Sequence, residues 1–305
     1  MRDYGRDCSV SMVFRRSNQA ALLDPADSER ERARKAEKGM RVFISADIEG
    51  CAAITTWDEV HKGRAGYQEF REQMTAEVVA ACEGARAAGA TDILIKDGHE
   101  SGCNLIVSRL PDYARIVRAW SGHPYVMMFG LDESFDAALF IGYHDAAGSD
   151  SNPLAHTMNE RIARLSINGE LASEFTVNAY TAALNRVAPV FLSGDRGICA
   201  SAQRLVPGMR TAAVSEGFGR ATMSVAPAKA VRMIREGVED ALKRGPSQIS
   251  FTLPDHFEVE IEFSNASDAY RSSFYPGVEH PKPCTLRFVS NDYFEVLRAI
   301  RFITV

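Results

Sequence analysis

Four short, largely apolar runs punctuate the chain from Met40 onward, and each ends on an acid or an imidazole. They read RVFISADIEG, TDILIKDGHE, DAALFIGYH and VAPVFLSGD. A strand with one wet face alternates apolar and polar residues, so near-continuous apolar runs belong to strands covered on both faces. Between them lie segments with helical spacing. YQEFREQMTAEVVAACEGARAAGA sets Phe70, Met74, Val78, Cys82 and Ala85 at three- and four-residue intervals, and Gly89 suits the helix stop. NAYTAALNR reads as a further helix, preceded by a hairpin in RLSINGELAS. Buried strands alternating with helices predict an α/β fold, a mostly parallel sheet flanked by helices.

The pattern changes at about residue 207. APAKAVRMIREGVEDALKRG reads as a helix with Pro227 near its first turn and Gly245 past its end. HFEVEIEFS alternates apolar and acidic residues, as an antiparallel strand with one wet face does. In NDYFEVLRAIRFITV, Asp292 stands three residues before Glu295, which marks a helix cap. At the other end, SERERARKAEK carries eight charges in eleven residues and offers no apolar face. The expected organisation is a charged, disordered tail over 1–39, a metal-binding α/β domain over 40–207 and a smaller C-terminal α+β subdomain over 208–305.

Composition narrows the class. The formal charge of -5 leaves no basic stripe for nucleic acid. No apolar run approaches the roughly 18 residues of a membrane span. The six cysteines are scattered without a C-x-x-C pair, which favours reduced thiols and a cytoplasmic setting.

The strand ends carry the chemistry. Asp47 and Glu49 stand two residues apart at the first, and side chains alternate along a strand, so both point the same way. Asp97 and His99 close the second run, His144 the third and Asp195 the fourth. In a parallel sheet the carboxyl ends share one edge, where α/β proteins place their sites. Acids and imidazoles converging there need a counter-charge, and one or two metal ions supply it; imidazole with carboxylate and no nearby thiolate suits zinc, with manganese or cobalt as substitutes. Singly, each residue has a structural explanation. The acid pair can cap a turn, His99 can be an ordinary loop residue, and His144 can sit in a core on a backbone carbonyl.

The segments SADIEG, KDGHE, GYH, AHTMN and SEFTVNAY, in this order and at these intervals, resemble the D-aminopeptidase (DppA-type) family of dinuclear zinc peptidases. The resemblance spans about residues 41–240. It implies that Asp47, Glu49, His99, His144 and Glu174 hold two zinc ions per subunit, that His156 is catalytic, and that the chain forms a ring-like homo-oligomer. It also implies hydrolysis of short peptides or amino-acid amides, with a D-configured N-terminal residue. Without the resemblance, Glu174 reads as an acid in a first helical turn and His156 as a loop residue. Asp97 is a candidate to orient a ligand histidine. Asp195 matches the acid of the family's G-D segment, but Arg196 follows where a second acid often stands. His61, His123, His256 and His280 read as structural or surface residues.

Two other readings compete. A dinuclear metallohydrolase acting on another amide or a phosphoester is one, although only Lys96 and Arg196 stand near the motifs to hold a phosphate. A non-catalytic peptide-binding oligomer is the other; a bare binding protein has no use for uncompensated acids at a strand end.

Overall fold

The computed structural model describes residues 39–304; the expected N-terminal tail otherwise lies outside the described residues. The chain enters on β1 (Met40–Ala46), passes a one-turn helix α1 (Trp57–Val60) and the long helix α2 (Tyr67–Ala87), and returns on β2 (Ala90–Asp97). A short strand β3 (Ala114–Val117) and then β4 (Ala137–Tyr143) follow. The hairpin β5 (Ile162–Ile167) and β6 (Glu170–Leu171) leads into α3 (Glu174–Leu184), β7 (Ala188–Asp195) and α4 (Arg196–Leu205). Next come β8 (Arg210–Phe218), β9 (Ala221–Ser224) and α5 (Pro227–Lys243). The chain closes through β10 (Phe257–Phe263), α6 (Ala266–Ser272), β11 (Val278–Lys282), β12 (Thr285–Ser290) and α7 (Tyr293–Ile303).

Seven strands form the first sheet in the order β3-β2-β1-β4-β7-β8-β9. All neighbours are parallel except the last pair, β8 and β9. Both faces are covered, as the apolar runs require. Val42, Ile44 and Ala46 of β1 join one core with Met74, Val78, Cys82 and Ala85 of α2 and Ile234 and Val238 of α5. Phe43, on the opposite face, joins Phe140 with Phe175 and Ala179 of α3 and Ile198 and Ala202 of α4. The stripe expected on α2 is therefore its buried face, with Phe70 at the margin. Gly89 takes φ +97°, a left-handed conformation that ends the helix.

The second sheet is antiparallel, in the order β11-β12-β10-β5-β6. On β10, Phe257, Val259, Ile261 and Phe263 are buried, while Glu260 and Glu262 face solvent. α7 packs Val296, Leu297, Ile300 and Ile303 into the same core, and Asp292 caps it by accepting from Phe294 N–H. The sheets do not divide at residue 207. β8, β9 and α5 belong with the first sheet, whereas β5 and β6 reach back to the second. A composition shift along the chain reports the face a segment buries, not the sheet it joins. β3 carries no readable pattern, because four edge residues, three half-buried and Arg115 exposed, give too short a period.

Candidate metal centre

The order of the first sheet reverses between β1 and β4, since β2 and β3 lie to one side of β1 and β4 and β7 to the other. Crevices at such switch points are where open α/β sheets bind ligands. Register brings the strand ends level: Ala46 pairs with Asp97 on one side and with Ile141 on the other. Asp47 and Glu49 leave β1, His99 leaves β2 and His144 leaves β4 at this edge. Glu174 opens α3, where Ser173 caps the helix by accepting from Thr176 N–H. His156 arrives on the loop between β4 and β5. Among the expected site residues the five expected ligands are each at most 5% exposed, and His156 is partly buried.

All six gather. His99 Nδ1 lies 3.0 Å from Glu49 Oε1 and 3.5 Å from Asp47 Oδ1. His144 Nε2 lies 3.5 Å from Asp47 Oδ2 and 3.8 Å from Glu174 Oε1, and His156 Nε2 is 3.6 Å from the same Glu174 oxygen. Asp47 thus faces a different imidazole with each carboxylate oxygen. The rings of His144 and His156 stack at 4.2 Å and 12°.

Most of these separations exceed a hydrogen bond. Two donors each about 2.1 Å from one ion at a tetrahedral angle stand about 3.4 Å apart, so the spacing suits shared cations. Asp47, Glu49 and His144 form one set of mutually close donors, and His144, His156 and Glu174 another. Two buried atoms here, Glu49 Oε2 and His144 Nε2, have no hydrogen-bond partner. Each orphan of this kind costs about 1–3 kcal/mol. The residues fit a metal: both unpartnered atoms belong to residues of one set of mutually close donors.

The electrostatics agree. Burial pushes the Asp47 carboxyl up and the Glu49 charge beside it adds to this. Burial does the same to Glu174, where the charge of His144 only partly opposes it. Burial also penalises Glu49, but the charge and hydrogen bond of His99, with the charge of His156, together outweigh it and hold Glu49 well below the usual carboxylate range. Burial opposes the charging of His99, yet Glu49 and Asp47 raise it well above an ordinary imidazole. Burial, with the neighbouring His156, pushes His144 down. His156 is raised, Glu174 and Glu49 overcoming its burial. Protons and imidazolium charges here balance buried acids, the task a cation performs.

Side chains that the sequence reading left aside, or mentioned only in passing, hold this cluster. His99 Nε2 meets Val60 O at 2.9 Å, at the end of α1. Asp97 does not touch the ring. It accepts from Asn104 and Leu105 N–H, and Asn104 Nδ2 donates to His99 O. Asp195 is likewise a support: it caps α4 through Ile198 N–H and accepts from Asp145 N–H and Asn152 Nδ2, while Asn152 Nδ2 also reaches Glu49 O. Trp57 sets its ring against both His61 and His156. No short-range pattern marks Asn152 or Val60, because Glu49 and His99 are remote from them in the chain, whereas Asn104 bonds within the loop that leaves β2. His123, His256 and His280 bond to neighbouring loop groups, away from the cluster.

A cavity of about 330 Å³ opens beside the cluster. His99, His156 and Glu174 form one wall, and Met127, Val177, Leu297 and Ile300 supply an apolar one. Trp120 and Glu100 flank one side, and Arg161 and Arg301 another.

The family model described as D-aminopeptidase matches residues 40–302. The chain belongs to the D-aminopeptidase family. The match runs through the second sheet, past residue 240 where the motif resemblance ends. A D-aminopeptidase of Bacillus subtilis (strain 168) is 31% identical over 267 residues, 87% of this chain and 97% of that protein. The solved structure described as "Zn-dependent D-aminopeptidase DppA from Bacillus subtilis, a self-compartmentalizing protease" superposes with a TM-score of 0.82 at 30% identity, covering 87% of this chain and 97% of that one. Membership places this chain among hydrolases of the peptidase kind.

Proposed function

We propose that this chain is a zinc-dependent aminopeptidase that removes a D-configured N-terminal residue from short peptides or amino-acid amides. One observation carries this reading: three buried carboxylates and three imidazoles meet at the sheet's switch point, with separations of 3.0–3.8 Å and two donor atoms lacking any partner. Asp47, Glu49, His99, His144 and Glu174 would hold two zinc ions; the two oxygens of Asp47 face different imidazoles. Bound zinc supplies Lewis acidity, which polarises the scissile carbonyl and brings a water molecule's pKa near neutrality.

The remaining work falls to protein groups. His156 Nδ1 is engaged with Leu154 O at 2.9 Å, which leaves Nε2 to carry a proton to the departing amine. Its partial exposure sets it apart from the more buried ligands. The apolar wall excludes water from the reacting bond. The five described cysteines are free thiols, and no described helix is long and apolar enough to cross a membrane; both support a cytoplasmic setting. The large exposed apolar side chains Phe218, Met223, Tyr270, Phe274 and Phe302 support a homo-oligomer, and a ring is the form that the relative's description as self-compartmentalizing suggests.

Substituting Asp47→Ala or His144→Ala tests the assignment. Elemental analysis of the wild type should find about two zinc per chain, and each variant should lose metal, turnover of D-aminoacyl nitroanilides and the zinc-dependent part of thermal stability together. At a free zinc concentration 1,000 times Kd that part is about 4 kcal/mol. A variant that keeps its turnover in chelator refutes the reading.

A further inference from the structure

The cavity beside the acid–imidazole cluster is lined by one arginine, Arg301, that has no counter-charge among the described residues. Arg301 sits in the last turn of α7, half-buried, with its side chain in the cavity wall. The other arginines nearby are engaged. Arg161 donates to Thr304 O at 2.9 Å and faces Asp268 at 3.7 Å, and Arg298 pairs with Glu295 on α7 itself. Among the described residues no carboxylate lies within ion-pair distance of Arg301, and no hydrogen bond engages it. The lining acids are committed elsewhere: Glu100 pairs with His61 at 3.6 Å, and Glu174 faces His144 and His156.

We propose that Arg301 receives the α-carboxylate of a short peptide whose scissile bond lies at the acid–imidazole cluster, so that the chain selects peptides with a free C-terminus. This rests on the peptidase reading above and names its substrate class. A guanidinium presents a planar fork of donors that matches a carboxylate in bidentate fashion. In a concave, partly apolar site it is less hydrated and discriminates more strongly between an acid and its neutral amide than an exposed cation does. The cavity volume of about 330 Å³ is at the lower end of small-ligand pockets, a size for two or three residues and not for a folded chain. The apolar stretch formed by Met127, Val177, Leu297 and Ile300 takes the side chains between the two charged ends.

The test compares a dipeptide acid with its C-terminal amide, on the zinc-loaded full chain. Wild type should prefer the acid in kcat/KM by on the order of ten- to a hundredfold, the range of a charge-assisted pair. Arg301→Gln should bring the ratio close to one through KM, and Arg301→Lys should restore part of it. The same comparison is made on binding alone, with a reduced-bond dipeptide acid and its amide measured by calorimetry. Cleavage of both substrates at equal rates by wild type, or an unchanged ratio in Arg301→Gln, overturns the carboxylate site and leaves the peptidase reading standing. Cleavage of neither overturns the peptidase reading, and the ratio of the two calorimetric Kd values then decides for or against Arg301 by itself.

Discussion

Glu49 Oε2 and His144 Nε2 are buried polar atoms with nothing to bond, a rarity in folded proteins, and they stand within one cluster. Both belong to one set of mutually close donors, the group that a cation would join. Asp195 shows the opposite condition. It accepts from Ile198, Asp145 and Asn152, yet burial still raises its carboxyl to about 6. With the folded-state pKa above the unfolded value of 3.8, the bound proton stabilises the fold. That contribution is complete below about pH 4 and is lost as pH rises through about 6. Asp195→Asn keeps an oxygen for Ile198 N–H and removes the titration. Relative to wild type, urea unfolding of the variant should therefore improve by about 2 kcal/mol between pH 4 and pH 7. A parallel pH dependence in both proteins would show that Asp195 keeps an ordinary pKa.

At the scale of elements, the loop leaving β1 is held against the end of β4 by backbone contacts: Gly50 N–H donates to Gly142 O at 2.9 Å and Asp47 N–H to Ile141 O at 2.8 Å. A Cβ on Gly50 would collide with the carbonyl of Tyr143, a backbone atom that cannot swing aside. Gly50→Ala should therefore cost about 3 kcal/mol or more and displace Glu49 from His99. Differential scanning calorimetry, with zinc content measured on the same sample, checks both effects; an unchanged Tm with full metal content would contradict the contact. The helices α2, α3, α5 and α7 were readable from spacing, and so were β10 and the cap at Asp292; the shorter α1, α4 and α6 were not. The pairing of β8 and β9 with the first sheet was not, because which sheet accepts an edge strand depends on side chains distant in the chain.

Across the whole molecule, α7, which packs on the second sheet, lines the cavity with Leu297, Ile300 and Arg301, and the loops leaving β2 and β4 line it with His99 and His156. The exposed rings of Tyr270, Phe274 and Phe302 lie on α6, the loop after it and α7, and the exposed Phe218 and Met223 lie on the β8–β9 hairpin. Two such surfaces on one chain suit assembly into a closed ring. Sedimentation should find a species several-fold heavier than the 33.5 kDa chain, and Phe274→Glu with Met223→Glu should shift it toward monomer. A wild-type protein that sediments as a monomer at micromolar concentration rules the ring out.

Local periodicity settled the element types from the text alone: covering a strand on both faces demands apolar residues throughout, and burying one helix face demands a stripe. The acids and imidazoles at the strand ends were visible for the same reason, since parallel strands must end along one edge. Only the folded chain decided the rest. The close approach of His156 to Glu174, the remote supports Asn152 and Val60, and the unpaired Arg301 all depend on how residues far apart in sequence pack, which spacing does not encode.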